Sequence, residues 1–428
     1  MLVYFPFIYF SALFLYKWKS CKTLNVGGAI LLLYAISSFF SIVLKESNYW
    51  PHGHFPELTL LPTLIYCGLL TLTILPFYNF KLDESVPVMD IDNKTFKIVS
   101  WLLISLSLVF IVVNFEGIID SLRYGFLSMG FNDIRGDFYD EAADGVSHTR
   151  FNLSAAQYFI NFSVVFSPLL LLFFFYSITF LHNSVLFNSS LILSSLVIVL
   201  YSTMNASRTQ SFYWVITVIL LYILFRPCMK PKLRRIINMS LIIIILLVGI
   251  YFAAVTLSRA QEKEFGAQGF LVYYMGQSYP HFVNVFQHFT FDGITIDRLF
   301  PITSKYLLGN YFDITQYRSM VETRIGAPVA IFYTFLGDAL IDFGFVGMFI
   351  YAIVFSLICR NYFLANNSIC KLSSLVIYIL LLRQISLGIF AYVYLSIPSS
   401  VLIIGSIIIA EVLKRKTIYN NINIMYKN

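Results

Sequence analysis

The residues best suited to chemistry are the basic ones that interrupt an otherwise apolar chain. They are Arg123, Arg135, Arg150, Arg208, Arg259, Arg298, Arg318 and Arg324, with Lys45, Lys263 and Lys305. Arginine outnumbers lysine in this set. A guanidinium is a planar fork that grips a phosphate or carboxylate with two hydrogen bonds, whereas an ammonium is a point charge. The preference points to an anionic ligand such as a pyrophosphate or an acidic sugar. The competing reading is ion pairing with acids such as Asp133, Asp137, Glu262 and Glu322, because surface pairs are common and weak.

Arg208 is the strongest single candidate. It sits in Asn205-Ala-Ser-Arg-Thr-Gln210, a short polar turn flanked by Ser207 and Thr209. Such a turn would hold the guanidinium near the membrane surface; the alternative is an anchor that snorkels to headgroups. Arg383 lies deep in an apolar run, Leu-Leu-Leu-Arg-Gln-Ile-Ser386. A charge at that depth faces a cavity or a partner, and Asp338 or Asp342 is the expected partner. Those two acids are four apart, so on a helix they share one face. They can orient a ligand or provide a base, or simply mark a polar helix entry beside Gly344 and Gly347. His281 and His288 are further candidate bases, spaced to share a helical face. Tyr273, Tyr274, Tyr279, Tyr306, Tyr311 and Tyr317 can form a sugar platform or interfacial anchors. None of the histidines has metal-ligand spacing, so no metal is expected.

These residues must be positioned by membrane helices. The chain has 428 residues, of which 58% are hydrophobic and 12% charged, and its mean hydropathy is +0.77. A soluble domain carries about 25% charged residues. The apolar runs 2–16, 26–44, 58–78, 98–115, 158–181, 185–204, 211–225, 236–256, 343–359, 372–392 and 397–413 read as transmembrane helices. The fold class is therefore an all-α polytopic membrane protein with about eleven spans. We read residues 1–428 as a single integral membrane domain. Residue 1 onward is apolar, with Lys17, Lys19 and Lys22 following, which reads as a retained first span.

More than half of the 29 Lys and Arg fall in the short connections at 17–22, 81–97, 226–235 and 360–371 and in the tail from Lys414. Short basic connections mark the cytoplasmic side. This puts the N-terminus in the periplasm and the C-terminus in the cytoplasm. Cys21, Cys228, Cys359 and Cys370 fall at the same cytoplasmic edges, as expected for free thiols. The net charge of +7 belongs to this topology, and no nucleic-acid partner is expected. Two large loops remain outside, 116–157 and 257–342. The second opens with a polar, aromatic stretch, 257–327, in which residues 270–291 have the spacing of an interfacial helix. Arg208 and the 116–157 loop are expected to work with it.

Many spans, two outward loops rich in Arg and Tyr, a Ser-Arg-Thr turn at a helix end, and a late Phe335-Leu-Gly-Asp…Asp342-Phe-Gly-Phe-Val-Gly347 segment resemble the bacterial O-antigen polymerases, which join oligosaccharide repeat units. Some members carry Arg-x10-Gly in each large loop. Arg298 to Gly309 has that spacing, and Arg135 to Gly145 is one residue short. The resemblance implies a glycosyltransferase of the inner membrane, acting without cofactor or metal on undecaprenyl-pyrophosphate-linked oligosaccharides. Membrane lipid and a chain-length regulator would be its further partners. Catalytic roles would fall to Arg208, Arg259, Arg324, Asp338 and His281. Substrate binding would fall to Arg135, Arg150, Arg298, Arg318, Tyr273, Tyr274 and Arg383. A flippase for the same lipid-linked unit and an O-antigen ligase are the alternative readings. A flippase would show shorter outer loops and more charge within its spans.

Overall fold

The computed structural model describes residues 1–51, 54–78, 80, 82, 93–128, 130–131, 133–134, 163–260, 266–290, 293–309, 322–323, 332–366 and 371–425. Arg135, Arg150, Arg318 and Arg324 lie outside this set, as do the side chain of Arg259 and most of the 116–157 loop.

Every regular element among the described residues is helical. In chain order the main helices are α1 (Tyr4–Cys21), α2 (Val26–Glu46), α3 (Leu60–Ile74), α4 (Asn93–Val113), α5 (Phe115–Leu127), α6 (Ser167–Tyr176), α7 (Val185–Ser195), α8 (Val197–Met204), α9 (Thr209–Phe225) and α10 (Pro231–Ala260). They continue with α11 (Gly266–Gly276), α12 (Ser278–His288), α13 (Thr334–Asn366), α14 (Leu372–Leu387) and α15 (Ile397–Met425). Among the described residues, eight helical segments are long and apolar enough to cross a membrane: 26–46, 60–78, 93–113, 185–204, 209–228, 231–258, 334–363 and 397–414. The other three expected spans coincide with α1, with the apolar helix Ser167–Leu181 and with α14, the last two being shorter. The chain is thus an all-α, multi-pass membrane protein. Helix α10 shows why. Ile242, Ile243, Leu246, Leu247 and Ile250 are all exposed, an apolar face of the kind that a membrane covers.

The chain divides into two compact units. The first comprises Met1–Lys81, Gln268–Asn367 and Leu380–Ser400, and the second Leu82–Ala267, Ser368–Ile379 and Val401–Asn428.

In the first unit, α12 is largely buried against α2, α3 and α13. Residues 270–291 therefore do not form one interfacial helix. The chain breaks between Gly276 and Ser278 into α11 and α12, and Tyr279, His281, Phe282 and Val283 face the interior. Gly276 makes the close approach possible. A Cβ there would collide with the Phe40 carbonyl of α2, while Ser41 and Ser37 of α2 donate to the carbonyls of Gly276 (2.6 Å) and Met275 (2.9 Å). Small residues with hydroxyl bridges are the usual means by which apolar helices come together.

Helix α13 is really two pieces. Gly344 has φ 71° and ψ −173°, a conformation that a residue with a Cβ resists. Before it, residues 334–342 are buried on every side; beyond it, Val346, Ile350 and Ile353 are exposed. The half-helix before Gly344 carries Asp338 and Asp342. Gly344→Ala is expected to lower stability by about 1–3 kcal/mol, read as a lower unfolding temperature of the detergent-solubilised chain. An unchanged temperature would mean that the break does not depend on glycine.

In the second unit, α6 packs on α7 and α9, α4 on α7, and α5 on α8. Ser167 donates to the Ser195 carbonyl at 2.6 Å, and Trp214 Nε1 reaches Ser195 Oγ at 3.2 Å. Residues 115–127, read above mostly as the start of a loop, form the amphipathic helix α5.

Candidate functional site

The candidate residues fall in both units, and each group is taken separately. In the second unit, Arg208 is the residue at which the chain turns from α8 into α9, and it is 3% exposed. The structure encloses its side chain within the protein. Its Nη1 donates to Thr256 Oγ1 of α10 at 2.8 Å. The turn itself is braced. Tyr251 of α10 donates to the Ser202 and Ser207 carbonyls at 3.1 and 3.0 Å. Ser202 Oγ also bonds the Ser207 carbonyl, and Ser207 N donates back to the Ser202 carbonyl at 2.8 Å. These bonds hold Ala206 at φ 44°, a left-handed conformation that costs an L-residue about 1–2 kcal/mol.

Phe131, Ala206, Tyr251 and Val255 form one buried cluster. Phe131 comes from the 116–157 segment, so that segment does reach the turn that carries Arg208. Its ring meets Tyr251 edge-on at 5.9 Å. The backbone of Arg259 lies on the last turn of α10, just beyond Thr256.

The electrostatics of this turn are unusual. Arg208 stands at the amino end of α9, where the helix dipole is positive and the first N–H groups point outward. A cation is least favoured there. An anion bound at the same place would be favoured by both the dipole and the guanidinium. Sequence reasoning missed Thr256 and Tyr251. The signal was available in Tyr251 and in Thr256-Leu-Ser258, polar side chains at the end of an apolar run.

In the first unit, Asp338 and Asp342 do share one helical face, as their spacing predicts. Both are fully buried. Asp342 accepts from the backbone N–H of Leu299 at 2.8 Å, the N–H of Arg298 at 3.0 Å and the Thr295 hydroxyl at 3.0 Å. Asp338 pairs with the Arg298 guanidinium through Oδ1 and accepts from Tyr392 N through Oδ2 at 2.6 Å. The Arg298 guanidinium also lies 5.3 Å from the centre of the Tyr333 ring, within cation–π range. The partner that the structure gives Asp338 is thus Arg298, forty residues away, where Arg383 was expected. Of the roles open to Asp338, orienting a ligand, providing a base or marking a polar helix entry, this geometry favours the last, structural one.

The reason for so many buried polar bonds lies in residues 388–396, an irregular segment between α14 and α15. Non-helical backbone surrounded by apolar helices must find its hydrogen bonds inside the protein. The carbonyls of Gly388 and Phe390 accept from Phe335 N and Thr334 N, each at 2.9 Å, which caps the first turn of α13. Asp338 serves Tyr392 N, and Gln384 Oε1 serves Val393 N at 3.4 Å. Arg383 is buried beside Gln384, and its charge acts on the Tyr394 hydroxyl.

His281 and Tyr273 also come together. Tyr273 Oη lies 3.1 Å from His281 Nε2, and the Trp50 ring covers the imidazole at a centroid distance of 4.4 Å. Burial pushes the Tyr273 phenol far above its ordinary range, and which of the two groups donates depends on the imidazole tautomer. His281 is 1% exposed, an enclosed imidazole in an aromatic box. Tyr274 packs edge-on against Phe332 at 5.0 Å. Tyr273 and Tyr274 are therefore packed against aromatic neighbours, and Tyr273 presents no open face to a sugar. His288 is exposed at the far end of α12.

Compared with protein-family models, curated proteins and solved structures, the chain matches none.

Proposed function

We propose that the chain is a metal-independent glycosyltransferase of the bacterial inner membrane. It joins undecaprenyl-pyrophosphate-linked oligosaccharide repeat units into O-antigen or a related surface polysaccharide at the periplasmic face. The observation that carries this reading is the enclosed Arg208, set at the positive end of α9 with a hydroxyl partner on α10. An anion of high charge density is the ligand such a place would hold.

In the proposed reaction the anomeric C–O bond to the lipid pyrophosphate breaks. A hydroxyl oxygen of the acceptor unit forms the new glycosidic bond, and its proton passes to a base or to solvent. The pyrophosphate leaves with its charge increased, and Arg208 stabilises that charge as it develops. No nucleotide is needed, because the leaving group is already activated. The expected eleven spans, with both large loops on the periplasmic side, belong to this reading. So does a chain-length regulator as partner in the same membrane.

Deleting the gene is expected to remove the polysaccharide ladder from a surface-glycan gel while core bearing one repeat unit survives. Loss of every repeat unit would instead favour the flippase or the ligase. An intact ladder would dismiss all three.

A further inference from the structure

Outside the arginine clusters, the most distinctive surface is on α4. Its exposed positions are Lys94, Lys97, Ile98, Trp101, Leu102, Ser105, Leu108, Val109 and Val112. They recur at steps of three and four, so they form a single stripe along one helix face. The two lysines are at the amino end and the rest of the stripe is almost wholly apolar. Asn93, Lys94, Lys97, Ile98 and Trp101 line a groove of about 560 Å³ at that end. Trp101 is held in place by Phe187 of α7, at a ring separation of 5.7 Å. Next to Phe187, Val185 and Leu186 are exposed and extend the apolar surface sideways.

We infer that this groove binds one anionic phospholipid from the leaflet at the lysine-bearing end of α4. The charge pattern matches such a molecule along its length. The phosphate meets Lys94 and Lys97 at the positive amino end of α4. Trp101 sits one turn deeper, at the glycerol level, where an indole has both an apolar face and a polar edge. An acyl chain then runs along Ile98, Leu102 and Leu108. A leaflet about 15 Å deep corresponds to roughly ten helical residues, which is the length of this apolar stretch. Lysines that merely snorkel to bulk headgroups would need neither the groove nor the fixed tryptophan.

The test uses the full-length chain in micelles containing equal phosphatidylglycerol and phosphatidylcholine, with bound lipid counted by native mass spectrometry. The wild type is expected to retain phosphatidylglycerol preferentially. Lys94→Gln with Lys97→Gln is expected to cut that preference by about fivefold per lysine. Trp101→Ala is expected to reduce retention of both lipids. Lys414→Gln, at the end of another apolar helix, is expected to leave the preference unchanged. Equal retention of the two lipids by the wild type would overturn the inference. So would a preference that survives in the double lysine variant, or one that Lys414→Gln lowers as much. Displacement of the lipid by millimolar inorganic phosphate would also overturn it, by showing a soluble-anion site.

Discussion

Arg208→Ala is expected to abolish chain extension, with a fall of roughly 10²–10³-fold, while the protein still inserts and a single repeat unit still reaches the surface. The magnitude is that of removing one preorganised donor from a developing negative charge. Arg208→Lys should fall between wild type and alanine. It keeps the charge but loses the fork that can hold two phosphate oxygens at once. The guanidinium sits at the positive end of α9, so its removal is expected to leave the unfolding temperature little changed. A purely structural arginine would lose stability and activity together. The measurement is the ladder on a surface-glycan gel, normalised to the amount of folded protein in the membrane. A normal ladder from Arg208→Ala would sink the functional assignment.

Asp338→Ala is expected to have the largest effect on the fold, about 3–5 kcal/mol. It leaves the buried Arg298 without its carboxylate and Tyr392 N without its acceptor. Asp338→Asn should cost less than alanine, because an amide oxygen can still accept from Tyr392 N. The double change Arg298→Met with Asp338→Leu should recover much of the loss at the ion pair, since well-packed apolar residues often replace a buried pair at little cost. Denaturant titration of the solubilised wild type, Arg298→Met, Asp338→Leu and the double variant gives the coupling energy directly. A loss below about 1 kcal/mol for Asp338→Ala would mean that the pair behaves as an exposed surface contact.

Much of the helical frame was legible in the sequence. Eight of the apolar runs fall on helices long and apolar enough to cross a membrane, because in an apolar setting the backbone can satisfy itself in few ways. The shared face of Asp338 and Asp342 was also legible, from their spacing alone. What that face meets was not. One of the two, Asp338 or Asp342, is expected from the sequence to partner Arg383, the charge within a span. Their partners are the Arg298 guanidinium, the Thr295 hydroxyl and the backbone N–H groups of residues 298, 299 and 392, and no residue type announces a backbone donor. Residues 270–291 were misjudged for a different reason. Their aromatic spacing fits an interfacial helix and a buried one equally well. Only Gly276 pressed against α2, with the serines that serve its carbonyl, decides between them. The polar Tyr251 and Thr256 at the end of an apolar run are visible in the sequence, but their pairing with the Arg208 turn is not, because they lie more than forty residues beyond it.

The half-helix before Gly344 has a consequence for biosynthesis. Its first N–H groups are capped by the carbonyls of Phe390 and Gly388, and Asp338 completes its bonds at Tyr392. A ribosome makes those partners more than fifty residues later. Until they emerge, the half-helix has an uncapped amino end and Asp338 lacks its Tyr392 donor, although Thr295, Arg298 and Leu299 are already made to serve the two acids, and unpaired backbone N–H groups are costly in hydrocarbon. The nascent segment is therefore expected to stay outside the bilayer core, and to be drawn in only when the chain's last helices arrive.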